Sequence, residues 1–188
     1  LGQLEARETL PSFHYEFTSS EASGLNVGLP WTKKQDSHTS SVGVLARDAG
    51  QRHPGRRINS AKSWLSHAGV DRRAPILPWQ SPAKIEKLSP VAASQLYLEH
   101  LVAAWNAKHP DDPLREQHVV LTVPASFDAV AQELTREAAV AAGLPTNLVL
   151  LEEPQAAVYA WLAGMGDEWR KSLKVGDRLL VCDVGGGT

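Results

Sequence analysis

The chain has 188 residues, of which 43% are hydrophobic, so it can bury a sizeable core as one domain or as one domain in two parts. The formal net charge of −2 gives no electrostatic reason to expect nucleic acid or an anionic membrane as a partner. No apolar run approaches the roughly 20 residues that are needed to span a bilayer. The single cysteine, Cys182, cannot form an intrachain disulfide, so we expect a protein of the reducing cytoplasm.

The part of the chain before Ser89 contains irregular polar stretches. Residues 24–41 predict a surface loop or a weak hairpin, and residues 58–65 predict a short helix that carries Lys62. Pro75 and Pro78 are expected to end any regular structure there. Five arginines make this part locally basic, and we interpret them as a solvated face, with a partner-docking patch as the alternative: Arg52, Arg56, Arg57, Arg72 and Arg73.

The pattern becomes regular at Ser89 and Pro90, which supply a capping side chain and a proline at the first helical position. The helix that follows is predicted to bury one stripe of apolar residues, Leu98, Leu101, Val102 and Trp105. Residues 119–123 predict a strand that Pro124 stops. The next helix is predicted over residues 127–142, with Gly143 at its end and one apolar side formed by Val130, Leu134, Ala138 and Ala141.

Two further strands are predicted, over residues 148–151 and 178–184, with a short helix over residues 154–162 between them. The later strand would bury Cys182 as a small apolar residue. Strands that alternate with helices predict an α/β fold, in which ligands collect at the carboxyl ends of the strands.

The end of the chain has the pattern of a phosphate-binding loop. An apolar run leads to Asp183 and then to Gly185, Gly186, Gly187 and Thr188. Consecutive glycines allow several backbone N–H groups to point at one anion, and Asp183 would face the magnesium that accompanies the phosphate, through water. A flexible glycine turn after a buried strand is the alternative interpretation.

Two other residues could act on a phosphate at the same edge. Glu153 follows a predicted strand and could orient an attacking water, although acids are also favoured at a helix N-terminus for electrostatic reasons alone. Lys62 could neutralise charge that develops on a γ-phosphate, although a lone helical lysine is usually a solvated charge. Spacing alone leaves both alternatives open.

Three segments, in this order, resemble the heat-shock protein 70 family of the actin-like ATPase superfamily. They are residues 120–127 with the helix that ends at Gly143, residues 152–157, and residues 183–188. A looser likeness continues upstream through residues 10–13, Val42, Gly43 and the Lys62 helix. The resemblance therefore covers most of the chain.

The resemblance implies a role for several residues. Lys62 looks like the family's catalytic lysine, Glu153 like the glutamate that orients water and metal, and Asp183 like the aspartate beneath Mg²⁺. Gly185, Gly186 and Gly187 look like the second phosphate loop, and Thr188 like the hydroxyl beside the phosphate. Pro124 looks like the proline proposed to switch between nucleotide states. ATP or ADP with Mg²⁺ would be the ligands.

The implied fold is one lobe of an actin-like, ribonuclease H-like ATPase, with a mixed sheet flanked by helices. Residues 1–88 would form mainly a peripheral α+β subdomain, and residues 89–188 the core subdomain that ends in the second phosphate loop. We expect the first phosphate loop and the second lobe to be absent from the chain. Expected partners in the full protein are its second lobe and peptide-binding domain, a J-domain co-chaperone, a nucleotide exchange factor and unfolded peptide clients.

Several positions depart from the family pattern. Relatives usually have an aromatic residue at Ser126 and an arginine at Gln132, both linked to communication between domains. Relatives also have Asn at Glu152 and Thr at Gln155. The resemblance is therefore to a divergent, bacterial-type branch of this chaperone and stress-response family, and ordinary chaperone allostery is in doubt.

Three functions remain compatible with the sequence. The first is part of the nucleotide-binding domain of a chaperone ATPase, the second a sugar or metabolite kinase of the same superfamily, and the third a pseudo-ATPase that serves as an interaction module. A kinase would have an acceptor pocket and no peptide-binding domain.

We predict that the 188-residue chain alone binds ATP weakly or not at all, because the resemblance places half of the phosphate contacts and the base pocket outside it. Calorimetric titration of ATP into the chain measures this directly. Micromolar affinity would contradict the prediction.

Overall fold

The structure is a computed structural model that describes residues 5–24, 28–32, 39–82 and 84–183. It is a mixed α/β arrangement with a three-stranded antiparallel sheet near the N-terminus and a two-stranded parallel sheet further along. Among the described residues, none of the helices combines the length and apolar character that crossing a bilayer requires.

The N-terminal sheet is built on strand β1, Phe13–Glu16, which lies between β2, Ser40–Val42, and β3, Arg57–Asn59. Helices α1, Ser19–Gly24, and α2, Val44–Arg52, lie between these strands in sequence. Tyr15 is fully buried in the middle of β1 and donates a hydrogen bond of 3.0 Å to Glu21 Oε1. Burial, with Glu21 beside the hydroxyl, raises the pKa of Tyr15 to about 12. Tyr15 is therefore a neutral core residue that ties α1 to the sheet.

Two predictions for the N-terminal part need correction. The helix predicted over residues 58–65 is shorter, because Ile58 pairs with His14 inside the sheet and helix α3 covers only Ala61–Leu65. The region predicted as loop or weak hairpin ends in β2, whose residues Ser40 and Ser41 pair with β1. Residues 25–27 and 33–38 of that region lie outside the described residues.

The arginines predicted to form a solvated face are used mainly inside the fold. Arg56 donates to the backbone carbonyl of Glu16 at 2.8 Å, and the Arg57 guanidinium lies 5.4 Å from the centre of the Phe13 ring. The Arg72 side chain is only 10% exposed and pairs with Asp128. Each of these contacts joins segments far apart in sequence, so the sequence pattern could not reveal them. The interpretation as a solvated face is wrong for these three residues.

The regular part of the chain begins, as predicted, with a capped helix. Helix α4 covers Pro90–Lys108, and the Ser89 side chain accepts a 3.0 Å hydrogen bond from the Ala92 N–H. Strand β4, Val120–Val123, and strand β5, Val149–Glu152, pair in parallel, and helix α5, Ala129–Ala141, connects them. Helices α6, Glu153–Met165, and α7, Trp169–Ser172, follow. The predicted strands and helices of this part are confirmed up to residue 165, with small shifts at their ends.

The predicted buried stripes on α4 and α5 are only partly correct. Leu101 and Trp105 are 48% and 39% exposed, whereas Val102 is buried in a cluster with Ala139 and Leu148. On α5, Val130 is 58% exposed and Ala141 is exposed, whereas Leu134 and Ala138 are buried. The helical period was right, but the neighbouring helices cover one edge of each stripe and leave the other in solvent.

The strand predicted over residues 178–184 is wrong for its described residues. Residues 178–183 have no regular secondary structure, and Leu180 is 88% exposed. A strand requires a neighbouring strand with which its backbone N–H and C=O groups can form hydrogen bonds. No backbone hydrogen bond connects residues 178–183 to the rest of the described chain. Cys182, predicted to be buried there, is accordingly exposed.

Leu134→Ala and Val130→Ala form a matched pair on α5 that tests which edge of the helix is packed. Leu134 is 3% exposed, so its truncation should cost about 2–5 kcal/mol of unfolding free energy, through lost burial and the cavity left behind. Val130→Ala should change stability by less than about 0.5 kcal/mol. Urea unfolding of the chain, followed by tryptophan fluorescence, measures both values. Equal costs would contradict the packing described here.

Candidate functional site

The carboxyl ends of β4 and β5 lie side by side. Their register pairs Val123 with Glu152, the last residue of each strand. The next residue along each chain segment is therefore at the same edge of the sheet, Pro124 after β4 and Glu153 after β5. Pro124 is buried, and Glu153 begins α6. Two of the three segments predicted to carry chemistry therefore share this edge.

Lys62 reaches this edge from a distant part of the sequence. Its Nζ donates a hydrogen bond of 2.6 Å to Glu153 Oε1, across 91 residues of chain. The Lys62 and Glu153 side chains are 41% and 24% exposed. An ion pair so accessible to water contributes only about 0–1 kcal/mol to stability. The pair therefore places a cation and a carboxylate together at an accessible edge without acting as a major stabilising contact.

Buried neighbours in α3 fix the position of Lys62. Ala61 packs in a cluster with Ile58, and Leu65 packs in another with Val123 and Phe127. Both residues are almost completely buried, at 0% and 2% exposure. Because the residues on either side of Lys62 insert into the core, α3 has little freedom to rotate and its lysine stays at the carboxyl end of β4.

Ser60, the residue before α3, has a left-handed backbone with φ of 56° and ψ of 27°. Such a conformation in a residue other than glycine costs of the order of 1–3 kcal/mol. It makes the sharp turn by which the chain leaves β3 and enters α3 without any connecting loop. The sequence had no signal for this turn, since serine is not a typical residue for left-handed backbone.

A second ion pair lies next to this region and was not predicted. The two terminal nitrogens of Arg72 donate to the two carboxylate oxygens of Asp128, each at 3.0 Å. Asp128 is also the N-cap of α5 and accepts a hydrogen bond of 2.6 Å from the Ala131 N–H. The hydrogen bonds from Arg72 and Ala131 lower the pKa of Asp128 to about 2. The only sequence signal was Asp128 as a helix cap, because the partner arginine lies 56 residues away.

Asp183 is not part of this arrangement. Asp183 is exposed, and it forms no hydrogen bond or ion pair within the described part of the chain. Gly185, Gly186, Gly187 and Thr188 lie outside the described residues. The structure therefore brings Lys62, Glu153 and Pro124 to one edge of the sheet and does not bring Asp183 into contact with them.

Over residues 5–24, 28–32, 39–82 and 84–183, no group of three or more His, Cys, Asp or Glu side chains converges closely enough to hold a metal ion by itself.

Comparison with curated proteins gives consistent results. The chain is 33% identical to the chaperone protein HscA of Enterobacter sp. (strain 638) over 183 residues, which covers 91% of the chain and 28% of that protein. It is 33% identical to HscA of Pectobacterium carotovorum, covering 82% of the chain and 25% of that protein. A homologue from Photobacterium profundum is 32% identical, covering 91% of the chain and 30% of that protein. No protein-family model matches the chain.

The chain belongs to the heat-shock protein 70 family. The similarity extends over most of the length of the chain. The mixed α/β architecture agrees with a fragment of an ATPase domain of this family. The chain spans less than a third of the length of these family members.

Asp128→Asn should reduce stability at neutral pH and have less effect in acid. The pKa of Asp128 is lowered from its ordinary value of 3.8 to about 2 in the folded state, so folding favours the ionised carboxylate. That stabilisation is complete above pH 3.8 and is lost as the pH falls towards 2. Asparagine retains the N-cap but lacks the charge. Urea unfolding of both forms at pH 7, 4 and 2.5 should show that the difference between their free energies of unfolding becomes smaller as the pH falls. A difference that stays constant with pH would contradict the role of the ionised Asp128.

Proposed function

We propose that the chain is part of the nucleotide-binding domain of an ATP-hydrolysing chaperone, and that the edge with Lys62 and Glu153 faces the γ-phosphate of ATP. The observation that supports this most directly is the 2.6 Å contact between Lys62 Nζ and Glu153 Oε1. It joins two residues singled out for phosphate chemistry, in a chain whose family consists of chaperones of this type.

The two side chains have complementary roles in this proposal. Hydrolysis forms a bond from a water oxygen to the γ-phosphorus and breaks the bond to the β–γ bridging oxygen, and the protons of the water pass to phosphate and solvent. The Lys62 ammonium would offset the negative charge on the phosphoryl oxygens as this occurs. Glu153 Oε2 accepts no hydrogen bond from the described residues, so it can accept one from the attacking water. Positioning supplies most of the rate in phosphoryl transfer.

The Glu153 carboxylate at this edge is compatible with a magnesium ion that accompanies the phosphates. Mg²⁺ binds oxygen ligands, keeps several waters and usually takes only one or two protein carboxylates along with substrate phosphates. Glu153 is a partly exposed carboxylate at this edge, and Asp183 is an exposed one further along the chain. When bound, the ion would neutralise phosphate charge. We propose Asp183 as its ligand through water, with Gly185, Gly186, Gly187 and Thr188 as the phosphate loop.

The remaining parts of the proposal concern the whole protein. Residues 1–88 would be mainly a peripheral subdomain and residues 89–188 the core of one lobe of an actin-like fold. Pro124 is buried directly after β4, where a change at the phosphates could reach it, and we propose it as the conformational switch. Co-chaperones and client peptides are the proposed partners, in keeping with relatives that are named as chaperones.

Substitution of the proposed site residues in the full-length protein tests the function. Lys62→Ala, Glu153→Gln and Asp183→Asn should each lower the single-turnover rate of ATP hydrolysis by about 10²–10³-fold, the usual effect of removing one group that stabilises developing charge. Lys108→Ala, at an exposed helical lysine distant in sequence, is the control and should leave the rate unchanged.

The result separates the alternatives. Wild-type protein that binds ATP but does not hydrolyse it would indicate a pseudo-ATPase. Hydrolysis that none of the three substitutions lowers would show that the assigned roles are wrong.

A further inference from the structure

Arg72 connects the two helix ends that flank the proposed site. Its guanidinium holds Asp128 at the N-terminus of α5 through two hydrogen bonds of 3.0 Å. Its Nε also lies 3.5 Å from the carbonyl oxygen of His67, two residues after the end of α3. One side chain therefore contacts the exit of the helix that carries Lys62 and the start of the helix that follows Pro124.

We propose that Arg72 is a positioning residue for ATP hydrolysis, which holds α3 against the β4–α5 connection and so keeps Lys62 at Glu153. This inference rests on the proposed function above. Arg72 does not touch the nucleotide site itself in this proposal. It acts through the placement of Lys62.

Arg72 supplements the apolar packing of Ala61 and Leu65, which already limits the rotation of α3. The helix has only five residues, far fewer than an isolated helix needs for stability in water. Leu65 packs against Val123 and Phe127, which fixes the depth of α3. Between α3 and α4 the described residues form no helix and no strand apart from an isolated bridge between Leu77 and Leu88. Within this segment, Arg72 forms a two-bonded contact with Asp128, the N-cap of α5. At the C-terminal end of α3, this contact adds to the packing of Leu65 and to that of Trp64, which lies against the cluster of Ile58 and Leu77.

The burial of the Arg72 side chain supports a positioning role, although its partner Asp128 is 52% exposed. The Arg72 side chain is 10% exposed, and a planar guanidinium bound to both oxygens of a carboxylate has one defined orientation. The next residue provides a contrast, because Arg73 pairs with Glu137 at 2.5 Å while 59% exposed. Arg73 contacts the same helix from the same loop but lies in solvent. It is therefore a matched control for charge and for location.

The experiment measures single-turnover ATP hydrolysis and ATP affinity of the full-length protein. Arg72→Leu should slow hydrolysis by about tenfold or more, as expected when a reacting group is displaced by a fraction of an ångström to an ångström. Arg73→Leu should leave the rate unchanged. Asp128→Ser retains a good N-cap for α5 but removes the carboxylate, and it should slow hydrolysis as Arg72→Leu does. A rate loss in all three variants, or in none, would overturn the inference.

A double-mutant cycle separates positioning from general stability. If Arg72 acts through Lys62, Arg72→Leu should cause no further rate loss in a Lys62→Ala protein. A purely structural role predicts that the two losses multiply, and that result would also overturn the inference. Arg72→Lys, which keeps the charge but not the two-bonded geometry, should fold and give an intermediate rate, so the test stands even if Arg72→Leu does not fold.

The cycle also distinguishes the two proposals. If Lys62→Ala does not slow hydrolysis, the proposed function fails and this inference fails with it. If Lys62→Ala slows hydrolysis but Arg72→Leu does not, only the role of Arg72 is wrong.

Discussion

The parallel pairing of β4 and β5 is the constraint on which the candidate site depends. Its register puts Val123 opposite Glu152, so both strands end at the same edge of the sheet. The residues that follow the two strands, Pro124 and Glu153, therefore both lie at this edge. A shift of one residue would turn each side chain to the other face of the sheet and separate Glu153 from Lys62. Leu150, partly buried in β5, packs against both core clusters of this region and thereby helps to hold the register. The chemistry at the edge is thus a consequence of packing on the sheet faces.

Local sequence signals were sufficient for the main helices and strands between residues 89 and 165. Ser89 and Pro90 mark the start of α4, and the β-branched run before Pro124 marks β4, because each signal acts within a few residues. The run over residues 178–183 has similar apolar character but forms no strand, since a strand exists only if another is available to pair with it. In the same way, β1 and α2 of the N-terminal half escaped prediction. Their stability comes from neighbours across the sheet rather than from their own composition.

The same limit of local sequence signals applies to the candidate site. Spacing alone could not distinguish Lys62 and Glu153 from a solvated lysine and a helix-terminal acid, and only the family resemblance linked them. The structure then placed them 2.6 Å apart across 91 residues. Arg72 had no signal of either kind, since the sequence predicts only a solvated face for it and its neighbouring arginines. Contacts between remote residues are what sequence reasoning lacks, and the functional geometry of this chain consists largely of such contacts.

The two sides of the Lys62–Glu153 contact are held unequally. On the lysine side, Ala61 and Leu65 are inserted into the core, and Arg72 fixes the segment that follows. On the glutamate side, α6 has no buried residue among its thirteen, and its Tyr159 is 61% exposed. A helix with so little buried surface can move without disrupting the core. Within the described residues, Lys62 is therefore the more firmly held of the two groups.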